Sequence, residues 1–456
     1  MIVERETPYI IRNGVTRIRL SPLVIPKYLV THLILLSILV GSNFVSPEGI
    51  SLVMLLLVIV FPVAFGFKIP RGIWFAVWPI AVMMLLGLIG SFVTESSNRE
   101  INDVIKDSWY FGKAILTVLF GYLVMWRIRD IRMVLRLFVL AAVIVSGLHL
   151  ISIAMDPSVL REPIDLIRET MGVGYMISAL GVIIILTTRN YQLNLLPFRS
   201  KLFLNSGLIL CLLSVVISFS RTLWVCTFIF VMLLLYKSKS KKLGRLALAG
   251  LVVTVLLFSV SGLTSTLQSR EDAFGSMMAK ITNSIEEITI SDYEGMAPIN
   301  LHWRGFESYQ AFQTYKSGTI FECFFGQGFG TNIDLGFFMP VEAINMRYIP
   351  ILHNGYLYIL VKTGFIGLVL YLYYLIFLFR YGHRSSLSDR PDVRCSGLLL
   401  MTASLAFFTT TYVISGMFNK NVLFPVTLLL GSLLYHIRNA GRGSFRPSRN
   451  HELITG

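Results

Sequence analysis

Three arginines and one histidine in the second half of the chain have side chains suited to phosphate binding and proton transfer. Arg221, Arg304 and Arg347 carry guanidinium groups, whose planar forks match the oxygens of a diphosphate. His353, followed by Asn354, carries an imidazole that can act as a base, because a histidine ordinarily titrates near a pH of about 6.5. Each residue alone has a simpler explanation, such as an arginine that reaches from an apolar surface to water. Their chemistry depends on whether the fold brings them together.

The composition indicates what kind of protein must position these residues. Of 456 residues, 55% are hydrophobic and only 14% are charged, and the mean hydropathy is +0.70. A soluble domain carries about 25% charged residues. Apolar runs long enough to cross roughly 30 Å of hydrocarbon recur along the chain, and the first, from about Val24 to Phe44, is long enough to stay in the membrane. The sequence therefore predicts a polytopic integral membrane protein.

The predicted fold class is an all-α bundle of about twelve transmembrane helices. Residues 1–262 hold nine of them, residues 263–351 form a large loop, and residues 352–456 hold the last three and a basic tail. We find no internal repeat and no pair of broken helices of the transporter kind. The predicted spans lie near 24–44, 49–67, 73–93, 107–126, 133–154, 171–188, 202–219, 222–236, 246–262, 352–379, 396–416 and 422–437.

Basic residues alternate from loop to loop and predict the orientation. The N-terminal arm, every second loop and the tail are rich in Lys and Arg, whereas the loop from Ser42 to Glu48 has neither. By the positive-inside rule, both termini are cytoplasmic and the loop 263–351 lies outside, in the periplasm of a Gram-negative cell. The same distribution accounts for the net charge of +15 and argues against nucleic-acid binding.

The large loop is predicted to contain an amphipathic helix that lies on the bilayer or caps the bundle. Anchoring is its simpler role, and lining a groove for a lipid substrate is the alternative. Arg304, Glu307, Ser308 and Gln310 fall off its aromatic stripe. The stripe has a spacing of three residues and consists of Trp303, Phe306, Tyr309, Phe312 and Tyr315.

Glycines mark two further places. Gly364 and Gly367 are expected to lie close to the helix face of His353, where small residues let a neighbouring helix approach. The Gly-x-Gly-x-Gly run at 326–330 has no strand–helix context for a dinucleotide site and is predicted to be a turn.

A few charged residues lie within predicted spans, and one acidic pair lies in the large loop. Lys113 and Lys362 fall in predicted spans, where charge is costly, so Lys362 is expected to face protein or water. The role of both lysines stays open. Asp292 and Glu294 are the nearest approach to an outer metal-binding pair, but they lie apart in sequence from the arginines, so we predict neither a metal nor a cofactor.

Several short motifs, taken in order, resemble one family. His353-Asn354, then nine residues, then Gly364-Phe365-Ile366-Gly367 resembles the signature of the O-antigen polymerase and O-antigen ligase superfamily. The layout of spans and large loop agrees, so the resemblance covers about 210 to 380 by motif and nearly the whole chain by layout. The supporting motifs are Ser218-x-Ser220-Arg221, Trp303-Arg304 and Phe325-Gly326-x-Gly328-x-Gly330.

The resemblance implies a metal-independent, inverting glycosyltransferase of the GT-C type in the bacterial inner membrane. Such enzymes pass a glycan from undecaprenyl diphosphate to a hydroxyl group on the outer face. By this resemblance Arg221 and Arg304 would bind the diphosphate, and His353 would activate or position the acceptor. Arg347 is added to the diphosphate site from its location alone. The residues expected to support the site are Ser220, Trp303, Asn354, Gly364 and Gly367.

The resemblance leaves several functions open. Polymerisation of O-antigen, capsule or exopolysaccharide repeat units is favoured, and ligation to lipid A–core is the first alternative. A transporter or flippase of lipid-linked oligosaccharides is the second, and a non-catalytic scaffold is the third. The expected partners are the undecaprenyl-diphosphate-linked donor, a glycan or lipid A–core acceptor, a chain-length regulator and a flippase.

Overall fold

A computed structural model describes residues 29–64, 70, 72–94, 99–161, 175–195, 201–237, 299, 303–341, 344–418 and 422–440. Short 3-10 helices cover Ile73–Ala76, Pro157–Arg161 and Gly416–Phe418, and two strands are β1 (Ile333–Val341) and β2 (Ile344–Ile349). The α-helices of the described residues are α1 (Leu29–Gly41), α2 (Pro47–Ala64), α3 (Trp78–Val93), α4 (Ile101–Ile128), α5 (Ile131–Met155), α6 (Met176–Asn190), α7 (Lys201–Ile217), α8 (Arg221–Lys237), α9 (Trp303–Lys316), α10 (Ile320–Phe325), α11 (Gly355–Ser385), α12 (Pro391–Ile414) and α13 (Phe424–Ala440).

Helices occupy eleven of the twelve segments predicted to span the membrane. The other segment, 246–262, lies outside the described residues, as do residues 263–298 of the large loop. Within the described part, four helices are long and apolar enough to cross a membrane, namely α4, α5, α11 and α12, and five shorter apolar helices accompany them. The protein is a helical membrane protein, and the number and orientation of its spans stay predictions.

The helices α4 and α13 pack closely against each other, and two glycines permit it. A Cβ atom on Gly121 would overlap the carbonyl of Leu428, and one on Gly431 would overlap the carbonyl of Val118. Ser432 Oγ then donates to the carbonyl of Gly121 across the interface at 2.9 Å. Small residues and hydroxyl hydrogen bonds are what holds helices together where apolar burial gives little driving force.

A β-hairpin in the loop adds two strands, which were not predicted, to an otherwise helical fold. Strands β1 and β2 pair antiparallel, with Ile333 opposite Ile349 and Val341 opposite Ile344, and the register shifts between Asp334 and Met339. In β1 the apolar residues Phe337 and Phe338 are adjacent, and Phe338 is 66% exposed. Apolar residues thus lie on both faces and obscure the alternation of apolar and polar residues that is the sequence signal for a strand. The pattern of the segment therefore gave no strand prediction.

The helix α11 is broken at Gly364, whose φ of +69° and ψ of −174° are not helical. A break leaves helix carbonyls without partners from their own helix. Here the carbonyls of Val361 and Lys362 accept hydrogen bonds from the backbone amides of Gln327 and Gly328, at 2.9 and 3.2 Å. The glycine-rich turn thus caps the first half of α11, and the prediction of a turn at 326–330 is confirmed.

The start of α11 corrects the prediction made for the position of His353. Asn354 is the N-cap, and its Oδ1 accepts from the backbone amides of residues 356 and 357, at 3.1 and 3.3 Å. His353 therefore precedes the helix, and the prediction that it shares a helix face with Gly364 and Gly367 was wrong. Gly364 lies against the backbone of the Gly-rich turn rather than against a neighbouring span, and a Cβ on Gly367 would overlap the Thr363 side chain.

A buried ion pair joins α4, α11 and the glycine-rich turn. Lys362 Nζ lies 2.6 Å from Asp107 Oδ2 and donates to the carbonyl of Thr331 at 2.5 Å. Asp107 also accepts from the amide of Gly330 at 2.7 Å and from the hydroxyl of Tyr358 at 2.6 Å. Both charged side chains are buried, so the expectation that Lys362 faces protein or water is confirmed. A buried pair persists only with such satisfied partners.

Two other cations lie near this network. The guanidinium of Arg99 donates to the carbonyls of Thr94 and Gln327, each at 2.6 Å, and so fixes the glycine-rich turn to the end of α3. Lys113 is buried in α4, with its ammonium 5.5 Å from the ring centre of Tyr110. Arg99 is thus structural, and the role of Lys113 stays open.

Candidate functional site

His353 is held by the carboxylate of Glu307. The Nδ1 atom of His353 lies 2.8 Å from Oε2 of Glu307, and the backbone amide of His353 donates to Oε1 at 2.9 Å. The Glu307 side chain is only 3% exposed, whereas the His353 side chain is 47% exposed. A buried carboxylate thus uses both oxygens to orient one half-exposed imidazole.

Two more elements fix the backbone around His353. The backbone amide of Ser415, directly after α12, donates to the carbonyl of His353 at 2.8 Å. The hydroxyl of Ser415 donates to the carbonyl of Leu352, which is buried. With Glu307 on α9 and Asn354 capping α11, three helices converge on one histidine. Such convergence keeps the ring in one orientation.

The contact with Glu307 decides which ring nitrogen is available for proton transfer. A carboxylate accepts hydrogen bonds, so Nδ1 of His353 carries the proton that it shares with Glu307. The lone pair then lies on Nε2, the nitrogen on the far side of the ring. If Nε2 takes a proton, the negative charge of Glu307 stabilises the resulting imidazolium. The pair therefore has the structure of an oriented general base.

The helix α9 confirms the predicted loop helix, but its aromatic stripe is not its buried face. Phe306 is buried, whereas Tyr309 and Phe312 are 38% and 41% exposed. Glu307, which fell off the stripe in the sequence, lies on the buried side with Gly305 and Phe306. The contact between Glu307 and His353 joins residues 46 positions apart, so no local pattern predicts it.

Arg304 lies one turn before Glu307 on α9. Residues three apart are neighbours on a helix surface, so α9 carries this arginine toward the same end of the bundle as His353. Trp303 is partly buried, and its ring centre lies 6.1 Å from that of Phe306. Trp303 therefore anchors the start of α9 beside the predicted phosphate ligand.

Arg221 is the first residue of α8 and follows a tight turn. The carbonyl of Ser220 accepts from the backbone amide of Trp224 at 3.1 Å, which places Ser220 at the N-cap position. The indole of Trp224 donates to the carbonyl of Val215 at 2.9 Å and ties α8 back to α7. The predicted hairpin between these two spans is confirmed, with Arg221 at its tip.

The packing of α8 on α12 sets the level of Arg221 in the bundle. The chain reverses between α6 and α7 and again between α7 and α8, so α8 runs parallel to α6. The start of α12 lies against the end of α6. The helices α8 and α12 therefore run antiparallel. Cys226 of α8 and Thr409 of α12 form a side-chain hydrogen bond. Arg221 lies about 8 Å from that level along α8, and Ser415 lies about 9 Å from it along α12, in the same direction. Arg221 and His353 thus border the same end of α12.

Arg347 is engaged elsewhere in the loop. Its Nε and Nη2 atoms donate to the two carboxylate oxygens of Asp334, at 2.8 and 2.9 Å, across the β1–β2 hairpin. These hydrogen bonds lower the pKa of Asp334 below the usual carboxyl value. The fork of Arg347 therefore binds a carboxylate of its own hairpin, and a diphosphate would have to displace it.

The described residues contain no group of three or more His, Cys, Asp or Glu side chains arranged to hold a metal ion. Asp292 and Glu294, the carboxylate pair considered as a metal site from the sequence, lie outside the described residues. Within the described part of the chain, Glu307 thus supplies the carboxylate in contact with His353, and Arg221 and Arg304 lie toward the same end of the bundle.

Comparison with known proteins shows a similarity between part of the chain and one family. No curated protein matched the chain. A family model described as O-antigen ligase matches residues 206–372, a range that runs from α7 into α11 and includes Arg221, Glu307 and His353. The match confirms the resemblance that the motifs indicated. Residues 206–372 of this protein are similar to the O-antigen ligase family, which supports a relationship to the superfamily of O-antigen ligases and polymerases.

Proposed function

We propose that this protein transfers a glycan from undecaprenyl diphosphate to a hydroxyl acceptor on the outer face of the bacterial inner membrane. Its favoured role is polymerisation of O-antigen, capsule or exopolysaccharide repeat units. The observation that supports this most is the half-exposed imidazole of His353 on the buried carboxylate of Glu307. Transfer of a glycan to a hydroxyl group is accelerated by a base that removes the hydroxyl proton.

In the proposed step, Nε2 of His353 removes the proton of the acceptor hydroxyl while the hydroxyl oxygen attacks the anomeric carbon of the donor sugar. The bond between that carbon and the diphosphate oxygen breaks, and its electron pair leaves with the lipid diphosphate. Attack from the opposite side inverts the anomeric configuration. The proton ends on His353, where the Glu307 carboxylate stabilises the imidazolium before water removes it.

The diphosphate leaves as an anion, so the step requires positive charge near the leaving oxygens. We assign this role to Arg221 and Arg304. Both lie at the end of the bundle where α9 and α12 hold His353. Guanidinium groups can bind phosphate oxygens through paired hydrogen bonds, which orients the donor as well as neutralising it. Under this proposal no separate metal is needed to stabilise the leaving group.

Purified protein in vesicles that contain a lipid-linked repeat unit provides the test. Growth of the glycan without another acceptor supports polymerisation, and transfer that requires lipid A–core supports ligation. His353→Ala should slow turnover about 10²- to 10⁴-fold. His383→Ala is the matched control, since His383 lies at the opposite end of α11. Full turnover by His353→Ala, with loss of lipid movement across the membrane in the same variant, would instead favour a flippase.

A further inference from the structure

The short helix α10 exposes an apolar face. Thr319 caps it, and the Oε2 atom of Glu322 turns back to accept from the backbone amide of Thr319 at 2.7 Å, so its polar group serves the helix itself. Four large apolar side chains are left exposed on the helix. They are Ile320 (81% exposed), Phe321 (44%), Phe324 (49%) and Phe325 (38%). Their spacing puts them along one side of α10.

The position of α10 is beside α11 rather than beyond its end. The ring centre of Phe324 lies 6.4 Å from that of Phe365, and the backbone from Phe324 to Gly326 lies against Gly364. Gly364 follows the start of α11 at Gly355 by nine residues, or about 14 Å along the axis. The helix α10 therefore lies alongside the apolar part of a membrane-spanning helix.

The exposed face of α10 is continuous with two apolar surfaces of the bundle. On α11, exposed side chains follow Phe365 at helical spacing. On α3, whose Gly90 lies against Gly328, a second exposed row runs up to the same level. These rows are Phe365, Val369, Tyr373 and Ile376 on α11, and Leu85, Ile89 and Phe92 on α3.

We infer that α10 is an interfacial helix whose face of Ile320, Phe321, Phe324 and Phe325 inserts into the acyl chains of one leaflet. Lipid is the occupant because the face joins rows of exposed apolar side chains on α11, which is long and apolar enough to cross a membrane, and on the shorter apolar helix α3. Phenylalanine is among the side chains that interfacial helices insert into a bilayer. The inference depends on the placement of α10 and not on the proposed glycan transfer. Its consequence is that the loop carrying Glu307 is fixed at the lipid surface.

A fluorescent label tests this placement in the full-length protein. An environment-sensitive nitrobenzoxadiazole group is attached at Ile320→Cys, in a Cys323→Ser background so that the one loop cysteine among the described residues does not react. The other cysteines of the described residues are buried. The matched control is Ser317→Cys, three residues before Ile320 and exposed. Both variants are reconstituted in vesicles of phosphatidylethanolamine and phosphatidylglycerol.

Quenchers then separate lipid from water and from protein. We expect a nitroxide on the lipid acyl chain to quench the label at Ile320, and iodide in the buffer to quench only the label at Ser317. Quenching of the Ile320 label by iodide would place α10 in water and overturn the inference. Quenching by neither agent would overturn it too, because protein would then cover the face.

Discussion

Glu307 contacts His353 twice, with one carboxylate oxygen on the imidazole and the other on the backbone amide. A single contact would let the ring rotate, whereas two contacts fix both the backbone and the ring of the histidine. The carboxylate is also buried while the ring is half exposed, so an approaching acceptor meets the imidazole first. This relationship gives His353 a defined tautomer and direction without any help from the donor.

Removing the charge of Glu307 should slow transfer. We expect Glu307→Gln to reduce the turnover rate by about tenfold to a hundredfold, as is typical when the partner that orients a functional histidine is lost. Glutamine has nearly the same shape as glutamate but lacks the negative charge that would stabilise a protonated acceptor of the hydroxyl proton. The measurement is the rate of glycan transfer by the folded variant.

The control for this variant is Glu322→Gln, which removes a carboxylate of the same loop that caps α10. Its rate of transfer should match that of the wild type. A Glu307→Gln variant that transfers glycan at the wild-type rate would mean that the carboxylate only supports the fold.

Replacing Arg304 by lysine should weaken donor binding although the charge is kept. Lysine cannot form the paired hydrogen bonds of a guanidinium, and one hydrogen bond to a charged group is worth about 1.5–3 kcal/mol. The KM for the lipid-linked donor should therefore rise at least about tenfold. Lys316→Arg, at the other end of α9, is the control and should leave KM unchanged. A wild-type KM in Arg304→Lys would remove Arg304 from the diphosphate site.

The pair of Asp334 and Arg347 should stabilise the hairpin in a pH-dependent way. Because the pKa of Asp334 is lowered in the folded protein, this stabilisation is present above the ordinary carboxyl pKa and is lost as the pH falls through the lowered value. We expect Asp334→Asn, Arg347→Gln and the double variant to lower the unfolding temperature equally at neutral pH. Their unfolding temperatures should approach that of the wild type in acid.

The same variants decide whether Arg347 also binds the donor. If Arg347 only holds the hairpin, both single variants leave the KM for the donor unchanged. A KM raised in Arg347→Gln but not in Asp334→Asn would assign the guanidinium to the diphosphate and support the role predicted from its location.

The break in α11 should tolerate no side chain at Gly364. Its φ and ψ values suit glycine alone, which costs another residue about 1–3 kcal/mol, and a Cβ there would also overlap the backbone near Phe324. We expect Gly364→Ala to lower the unfolding temperature and the yield of folded protein. Gly112→Ala in α4 is the control, since a Cβ at Gly112 meets open space. Equal stability of the two variants would show that α11 can close its break.

Hydropathy predicted the helices well because it depends on local composition. A run of apolar residues is stable only as a helix in lipid, whatever surrounds it, so most predicted spans hold a helix. Lys362 was expected to avoid lipid because a charge in lipid is costly, and it forms an ion pair with Asp107. The turn at 326–330 followed from glycine chemistry alone.

The features that the sequence did not predict depend on contacts between distant segments. Gly364 breaks α11 where the turn at 326–330 supplies partners for the freed carbonyls, and neither segment indicates this by itself. Glu307 reaches His353 only because α9 and α11 meet, and the spacing of aromatics on α9 pointed to a different face. Family motifs identified His353 but carried no information on the carboxylate beside it.

Chemical rescue tests most directly whether the imidazole of His353 is the base. His353→Ala should transfer glycan about 10²- to 10⁴-fold more slowly than the wild type. Imidazole added to the buffer should restore transfer in proportion to its concentration, because the site of the half-exposed ring is open to a small molecule. The same imidazole should leave Arg304→Ala unchanged. Transfer by His353→Ala at the wild-type rate without imidazole would contradict the account.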